Sequence, residues 1–260
     1  MPLTLVLCEV GEIEKQMFNN NKKMNKEQMN IAELPAPIPA NPMLNAVPLS
    51  ETYNMNCITL MKEYPDKWFD LAVVDPPYGI NRSGQTERFT KNPKHKRKHF
   101  ENKGWDTSIP EMEYFTELFR VSKNQIIWGA NYFTQYLPSS MGWIFWDKGQ
   151  DLSMSDGELA FTSFNKALRR FKINRGQLMV EGGTIHPTQK PIKLYDFCLQ
   201  FAKVEPGMRI IDTHLGSQSS RISADKAGLD FTGFEIDKDY FDAGEKRYQN
   251  YKSQLRIEVW

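Results

Sequence analysis

The sequence predicts an α/β fold built on a mainly parallel sheet. Three observations predict it. Short apolar runs, such as Asp70–Asp75 (DLAVVD) and Gln125–Gly129 (QIIWG), have the pattern of strands buried on both faces. Segments with apolar residues at helical spacing alternate with these runs. Residues with chemical character gather just past strand ends, at Asp75 to Tyr78, Asp212 to Ser217 and Glu235, where open parallel sheets bind ligands.

Taken in order, Thr52–Asn56 reads as a short strand and Asp70–Asp75 as a buried one. Glu111–Ser122 reads as a helix, with Phe115, Leu118, Phe119 and Val121 apolar. Gln125–Gly129, Gly142–Trp146 and Glu158–Phe164 are three further strands. Pro191–Lys203 starts with proline at a first-turn position and repeats Ile192, Tyr195, Leu199 and Ala202 at helical spacing. Arg209–Asp212 is a strand, Ser219–Ala227 a helix, Phe231–Glu235 a strand and Asp239–Gln254 a final helix. The total is about seven strands. Trp105, Trp128 and Trp143 read as core residues. Residues 1–49 stand apart, with the run Asn19, Asn20, Asn21 and prolines spaced from Pro35 to Pro48. They read as a poorly ordered or partly helical extension.

At 40% hydrophobic and 25% charged residues, the 260-residue chain has a globular composition. No apolar run approaches the roughly 18 residues of a membrane span. The first ten residues carry Glu9 and lack a basic start, which argues against a signal peptide. Cys8, Cys57 and Cys198 are far apart and form no Cys-x-x-Cys pair. That excludes a zinc ribbon and a disulfide framework, and points to a reducing cytoplasm. No metal-ligand constellation appears. Net charge is only +1, so any nucleic-acid affinity must be local.

Asp75-Pro76-Pro77-Tyr78 follows the DLAVV run directly. The prolines fix φ and stiffen the loop. Asp75 and the Pro76 carbonyl can accept both protons of an exocyclic amine, and Tyr78 can stack on a base. The same residues also suit a tight turn after a strand. Residues 81–103 hold eight Lys or Arg, namely Arg82, Arg88, Lys91, Lys94, Lys96, Arg97, Lys98 and Lys103, against Glu87 and Glu101. Such a run next to the tetrad suits phosphate contact. Arg169, Arg170, Lys172 and Arg175 form a second cluster, which suits DNA contact or an amphipathic surface.

Asp-Pro-Pro-Tyr after a buried strand resembles the catalytic motif of amino-methyltransferases acting on DNA. His186-Pro187-Thr188-Gln189-Lys190-Pro191 is similar to the H-P-T-Q-K-P segment of the permuted β-class members. Asp212-Thr213-His214-Leu215-Gly216-Ser217-Gln218-Ser219 stands where they carry the cofactor loop D-x-F-x-G-x-G, and Gly233-Phe234-Glu235-Ile236-Asp237 resembles their acidic strand end. The resemblance implies a Rossmann-like methyltransferase fold with a seven-stranded, mostly parallel sheet and circularly permuted motif order. Residues 50–255 would form the catalytic domain, with a DNA-contacting loop at 79–105 and a small target-recognition region at 147–184.

It further implies S-adenosylmethionine as cofactor and the N6 amine of a flipped adenine in double-stranded DNA as target. Asp75, Pro76, Pro77 and Tyr78 would be catalytic. Asn56, Asp75, His186, Thr188, Lys190, Asp212, His214, Leu215, Gly216, Ser217, Ser219 and Glu235 would bind the cofactor. Of these, Glu235 would take the ribose hydroxyls and Asn56 the adenine amine. Lys190 and the helix start at Ser219 would take the methionine carboxylate. Arg82, Arg88, Lys91, Lys94, Lys96, Arg97, Lys98, Arg169 and Arg170 would contact DNA. Three residues depart from the family pattern. Gln218 replaces a glycine, His214 an aromatic residue, and Asn56 an acid. Cytosine N4 methylation and a DNA-binding homologue impaired in catalysis are the alternatives. A homodimer and a cognate restriction enzyme are both compatible with the chain, and neither is required.

Overall fold

The computed structural model describes residues 48–85, 98–149, 155–174 and 176–255. All but the last two residues of the expected extension lie outside the described residues.

The described residues form one sheet of eight strands. These are β1 (Ser50–Tyr53), β2 (Phe69–Val74), β3 (Ser122–Trp128), β4 (Trp143–Asp147), β5 (Gly157–Thr162), β6 (Arg169–Lys172), β7 (Arg209–Asp212) and β8 (Asp230–Phe234). Their order across the sheet is β1-β8-β7-β2-β3-β5-β4-β6. Only β5 runs against its neighbours, pairing antiparallel with β3 and β4. The helices are α1 (Cys57–Met61), α2 (Met112–Val121), α3 (Gln177–Val180), α4 (Ile192–Ala202), α5 (Ser219–Lys226) and α6 (Lys238–Leu255).

The mainly parallel α/β class is as expected, with one strand more than the seven predicted. The extra strand is β6, Arg-Arg-Phe-Lys, which holds a single apolar residue. An edge strand buries little, so its sequence need not alternate. Phe171 alone packs against the core, while the flanking cations stay exposed.

The central strands follow from their apolar runs. In β2, Leu71, Ala72, Val73 and Val74 are all buried, as are Ile126, Ile127 and Trp128 of β3. Side chains from these strands meet Leu194, Cys198 and Leu199 of α4 and Ala224 of α5 in one core. Each large side chain buried there contributes about 1.5–3 kcal/mol. Trp128 belongs to this core. Trp143 is only half-buried, and Trp105 lies outside it.

The topology also locates the site. Strands β7 and β2 are parallel neighbours. The chain leaves β7 for β8 on one side and β2 for β3 on the other. This reversal opens a crevice beyond their carboxyl ends, with Asp212 on one side and Asp75 on the other.

Helix α4 ends on Lys203 in the left-handed conformation, φ 56, where its amide caps the last carbonyls. That conformation costs a side chain roughly 1–2 kcal/mol, and glycine gives part of it back in chain entropy. Lys203 is exposed. Lys203→Gly should therefore stabilise the fold by about 0.5–1 kcal/mol, raising Tm in a thermal melt by roughly 1–4 °C.

Candidate active site

The tetrad closes β2 and forms the floor of a cleft of about 910 Å³. Its centre is a buried ionic network. The Lys190 ammonium, 2% exposed, lies 2.5 Å from Asp75 Oδ2 and 3.1 Å from Glu158 Oε2. Lys148 Nζ holds the other Glu158 oxygen at 2.8 Å. The Tyr78 hydroxyl donates to Asp75 Oδ1 at 2.5 Å and accepts from Lys190 at 3.0 Å.

Burial alone would raise the pKa of Glu158, but Lys190 and Lys148 outweigh it and hold the carboxyl at about 2. Burial would discharge Lys190, yet Asp75 and Glu158 raise its pKa above the ordinary lysine value and keep it charged. Asp75 lies above its ordinary value through burial and the nearby Glu158 charge, with Lys190 opposing. Burial and the same two carboxylates push Tyr78 well up, so its hydroxyl keeps its proton.

Two further residues fix the tetrad. Asp106, 2% exposed, accepts through Oδ1 from the amides of Tyr78 (2.7 Å) and Gly79 (2.9 Å), and through Oδ2 from Arg82 (2.7 Å). Gly129, at φ 69, lies against the Tyr78 ring, where an added Cβ would sit 1.9 Å from Cε1. Tyr132 stacks on that ring with centroids 5.0 Å apart and planes at 14°.

A smaller chamber of about 140 Å³ adjoins the cleft, and Asp75, Pro77, Trp105, Thr188, Gln189 and Lys190 line both. Glu235, His186, His214, Leu215, Gly216 and Ser217 line the small chamber alone. Glu235 accepts from the Gly216 amide (2.8 Å) and the Asp237 amide (2.9 Å), one on each oxygen. Gly216 takes φ 48, and a Cβ there would sit 3.4 Å from the His186 ring. Gly233 makes room for Leu215, since a Cβ there would lie 2.4 Å from Leu215 Cδ2. His186 and His214 are held neutral by burial, at about 3 and about 4. Thr188 Oγ1 lies 3.2 Å from His186 Nδ1.

Several expected contacts differ. Asn56 does not line the chamber. Its side chain accepts from the Ile58 amide at 2.9 Å and caps α1. Lys190 lines the chamber but directs its ammonium to Asp75 and Glu158, since two carboxylates within 3.1 Å outbid any other anion. Asp212 is buried behind the loop, where it accepts from the Ser220 hydroxyl (2.5 Å) and the His214 amide (3.0 Å). Burial lifts its carboxyl to about 7. Ser219 is buried beneath the chamber, with Arg247 on its hydroxyl at 2.9 Å. Gln218 does adopt the left-handed conformation at φ 59, which costs about 1–2 kcal/mol. Its amide binds Glu245 and Arg221, both at 2.9 Å, and so points away from the chamber.

Among the basic residues, Arg82 lines the cleft and Lys98 is exposed. Arg88, Lys91, Lys94, Lys96 and Arg97 lie outside the described residues. Arg169 and Arg170 are exposed on β6 and do not line the cleft. Sequence reasoning missed Glu158, Lys148, Asp106 and Gly129 as site residues. For Glu158 the only local signal was an acid opening the apolar stretch ELAF.

No protein-family model matches the chain. Its fold resembles that of M1.HpyAVI in a SAM complex, with a TM-score of 0.52 at 15% identity, covering 77% of this chain and 99% of that one. The cytosine-N4-specific PvuII DNA methyltransferase matches with a TM-score of 0.51 at 12% identity, covering 78% and 88%. At such identities the likeness is one of fold.

Two outcomes follow for the site. Gly129→Ala should destabilise the protein by about 2 kcal/mol or more, through overpacking against Tyr78 and a disfavoured positive φ. Tyr78→Ala in the same chain should relieve the overpacking part, so that in urea unfolding the double variant loses less than the sum of the two single losses. A carboxyl held below its unfolded value stabilises the fold above that value and loses the effect as pH falls. Glu158 should therefore contribute stability above its ordinary value of 4.5, lost as pH drops toward about 2. Stability measured against pH should show a shallower acid limb in Glu158→Gln.

Proposed function

We propose that the chain is an S-adenosylmethionine-dependent DNA methyltransferase that methylates the N6 amine of an adenine flipped out of the duplex. One observation carries this reading. The Asp75 carboxylate lines two adjoining chambers, a small one that Gly216 and Glu235 also line and a large cleft rich in aromatic residues. A donor and an acceptor held on either side of that carboxylate would meet beside it. The likeness in fold to M1.HpyAVI and PvuII DNA methyltransferase supports the same reading.

The small chamber suits one part of the proposed methyl donor: at about 140 Å³ it takes a ribose-sized fragment, and the rest of the donor would extend into the adjoining cleft. Each Glu235 oxygen takes one backbone amide, which leaves a lone pair on each for a ribose hydroxyl. Gly216 presents bare backbone to the chamber. His186 and His214, both neutral, add no positive charge near a cationic sulfonium. When bound, S-adenosylmethionine supplies an electrophilic methyl group.

The chain's own residues then position the acceptor. A base cannot be reached at its exocyclic amine inside the stack, so it must be flipped into the cleft. Tyr132 already stacks on the Tyr78 ring, so the base would take its place or stack on its outer face, a contact worth roughly 1–3 kcal/mol. Asp75 and the Pro76 carbonyl accept the amine protons and turn its lone pair toward the methyl group. Lys190 and the Tyr78 hydroxyl fix the Asp75 carboxylate in one orientation. As the nitrogen–methyl bond forms and the sulfur–methyl bond breaks, the amine would carry an extra proton, and Asp75, which holds the amine in this reading and lies above its ordinary value, would receive it. Holding both reactants in line supplies much of the rate. In this reading residues 50–255 are the catalytic domain, 79–105 contact DNA and 147–184 help choose the site.

Incubating the protein with labelled S-adenosylmethionine and methylation-free duplex DNA, then separating the nucleosides, should yield N6-methyladenine. Asp75→Ala should lower the yield at least about 100-fold. N4-methylcytosine would reassign the base. No methylated base from protein that binds donor and DNA would overturn the proposal.

A further inference from the structure

Residues 103–106 touch both the wall of the small chamber and the tetrad loop. Lys103 Nζ lies 2.7 Å from Asp237 Oδ1 and 2.6 Å from Asp239 Oδ2, and 4.7 Å from the Tyr240 ring centroid. Asp237 is bound in turn to the small chamber, because its amide donates to Glu235 Oε1 at 2.9 Å. Trp105 stacks on His186 with centroids 5.1 Å apart, and His186 meets Tyr240 edge-on at 4.3 Å. Trp105 also lines both chambers. Asp106 gathers the amides of Tyr78, Gly79 and Arg82, as described above.

Lys103 is the last cation of the basic segment, yet its charge is spent on two carboxylates. It is therefore a poor phosphate contact and a good anchor.

We infer that residues 103–106 are a strap that makes donor and DNA bind cooperatively, with Lys103 as its anchor and Trp105 as the wall shared by the two chambers. This rests on the proposed function, which places the donor's ribose against Glu235 in the small chamber and the flipped base in the cleft. A ligand against Glu235 settles the backbone at Asp237 and, through Lys103, the strap. The strap then settles Asp106 and the tetrad loop that receives the base. Each ligand lowers the ordering cost met by the other, and linkage requires the effect to be equal in both directions.

The test is a binding titration in both directions, using S-adenosylhomocysteine and a labelled duplex oligonucleotide of mixed sequence. In the wild type, saturating S-adenosylhomocysteine should tighten duplex binding by roughly 5-fold or more, and the duplex should tighten S-adenosylhomocysteine binding equally. Lys103→Met should bind each ligand alone and reduce the coupling to less than about 2-fold, while Lys103→Arg should keep it. Asp239→Asn, at an exposed carboxylate, removes half of the anchor and should give an intermediate value if Lys103→Met fails to fold. Unchanged coupling in both variants, or wild-type binding of both ligands without coupling, would overturn the strap and leave the proposed function standing. Failure of the wild type to bind S-adenosylhomocysteine would overturn both.

Discussion

One buried ammonium organises the candidate site. Lys190 is 2% exposed and shared by Asp75 and Glu158. A charge taken out of water costs several kcal/mol unless it is paired and hydrogen-bonded. Here two cations, Lys190 and Lys148, face two carboxylates, and the Tyr78 hydroxyl bridges between them. The four charged groups come from the ends of β2, β4 and β5 and from the segment that enters α4. Bringing them together fixes where those elements end. A buried ion pair need not add net stability, and its main effect is to allow one arrangement of the cleft floor.

The tetrad's geometry follows from that constraint. Lys190 and the tyrosine hydroxyl orient the Asp75 carboxylate. Asp106 fixes the backbone after Pro77, and Gly129 leaves the space that the Tyr78 ring fills. In this arrangement Tyr132 lies flat against the Tyr78 ring at the edge of the cleft.

Much of the fold was legible in the sequence because its central strands carry unbroken apolar runs. Arg209–Asp212 matched to the residue, and Phe69–Val74 differs from the run DLAVVD by one position at each end. Elements with little to bury left no such trace. Strand β6 holds one apolar residue, and α1 is a five-residue turn capped by Asn56. At the site, the tetrad and the Gly216 and Glu235 positions were legible because each lies next to its own strand. Glu158 and Asp106 were not, because their partners are 32 and 28 residues away along the chain, and only the packed sheet reveals them. Lys190 was legible as a motif residue but its partner was not. A lysine beside a helix start carries no local sign of which carboxylate it will meet.

The claim that Lys190 and Asp75 act as one unit is tested most directly by a double-mutant cycle on unfolding free energy, using Lys190→Met, Asp75→Asn and the pair together. Lys190→Met alone leaves Asp75 buried without its cation and Glu158 with Lys148 only, and should cost about 3–5 kcal/mol. In the double variant, the loss should fall short of the sum of the single losses by about 1.5 kcal/mol or more. Losses that add to within about 0.5 kcal/mol would show that the two residues do not depend on each other, contradicting the account.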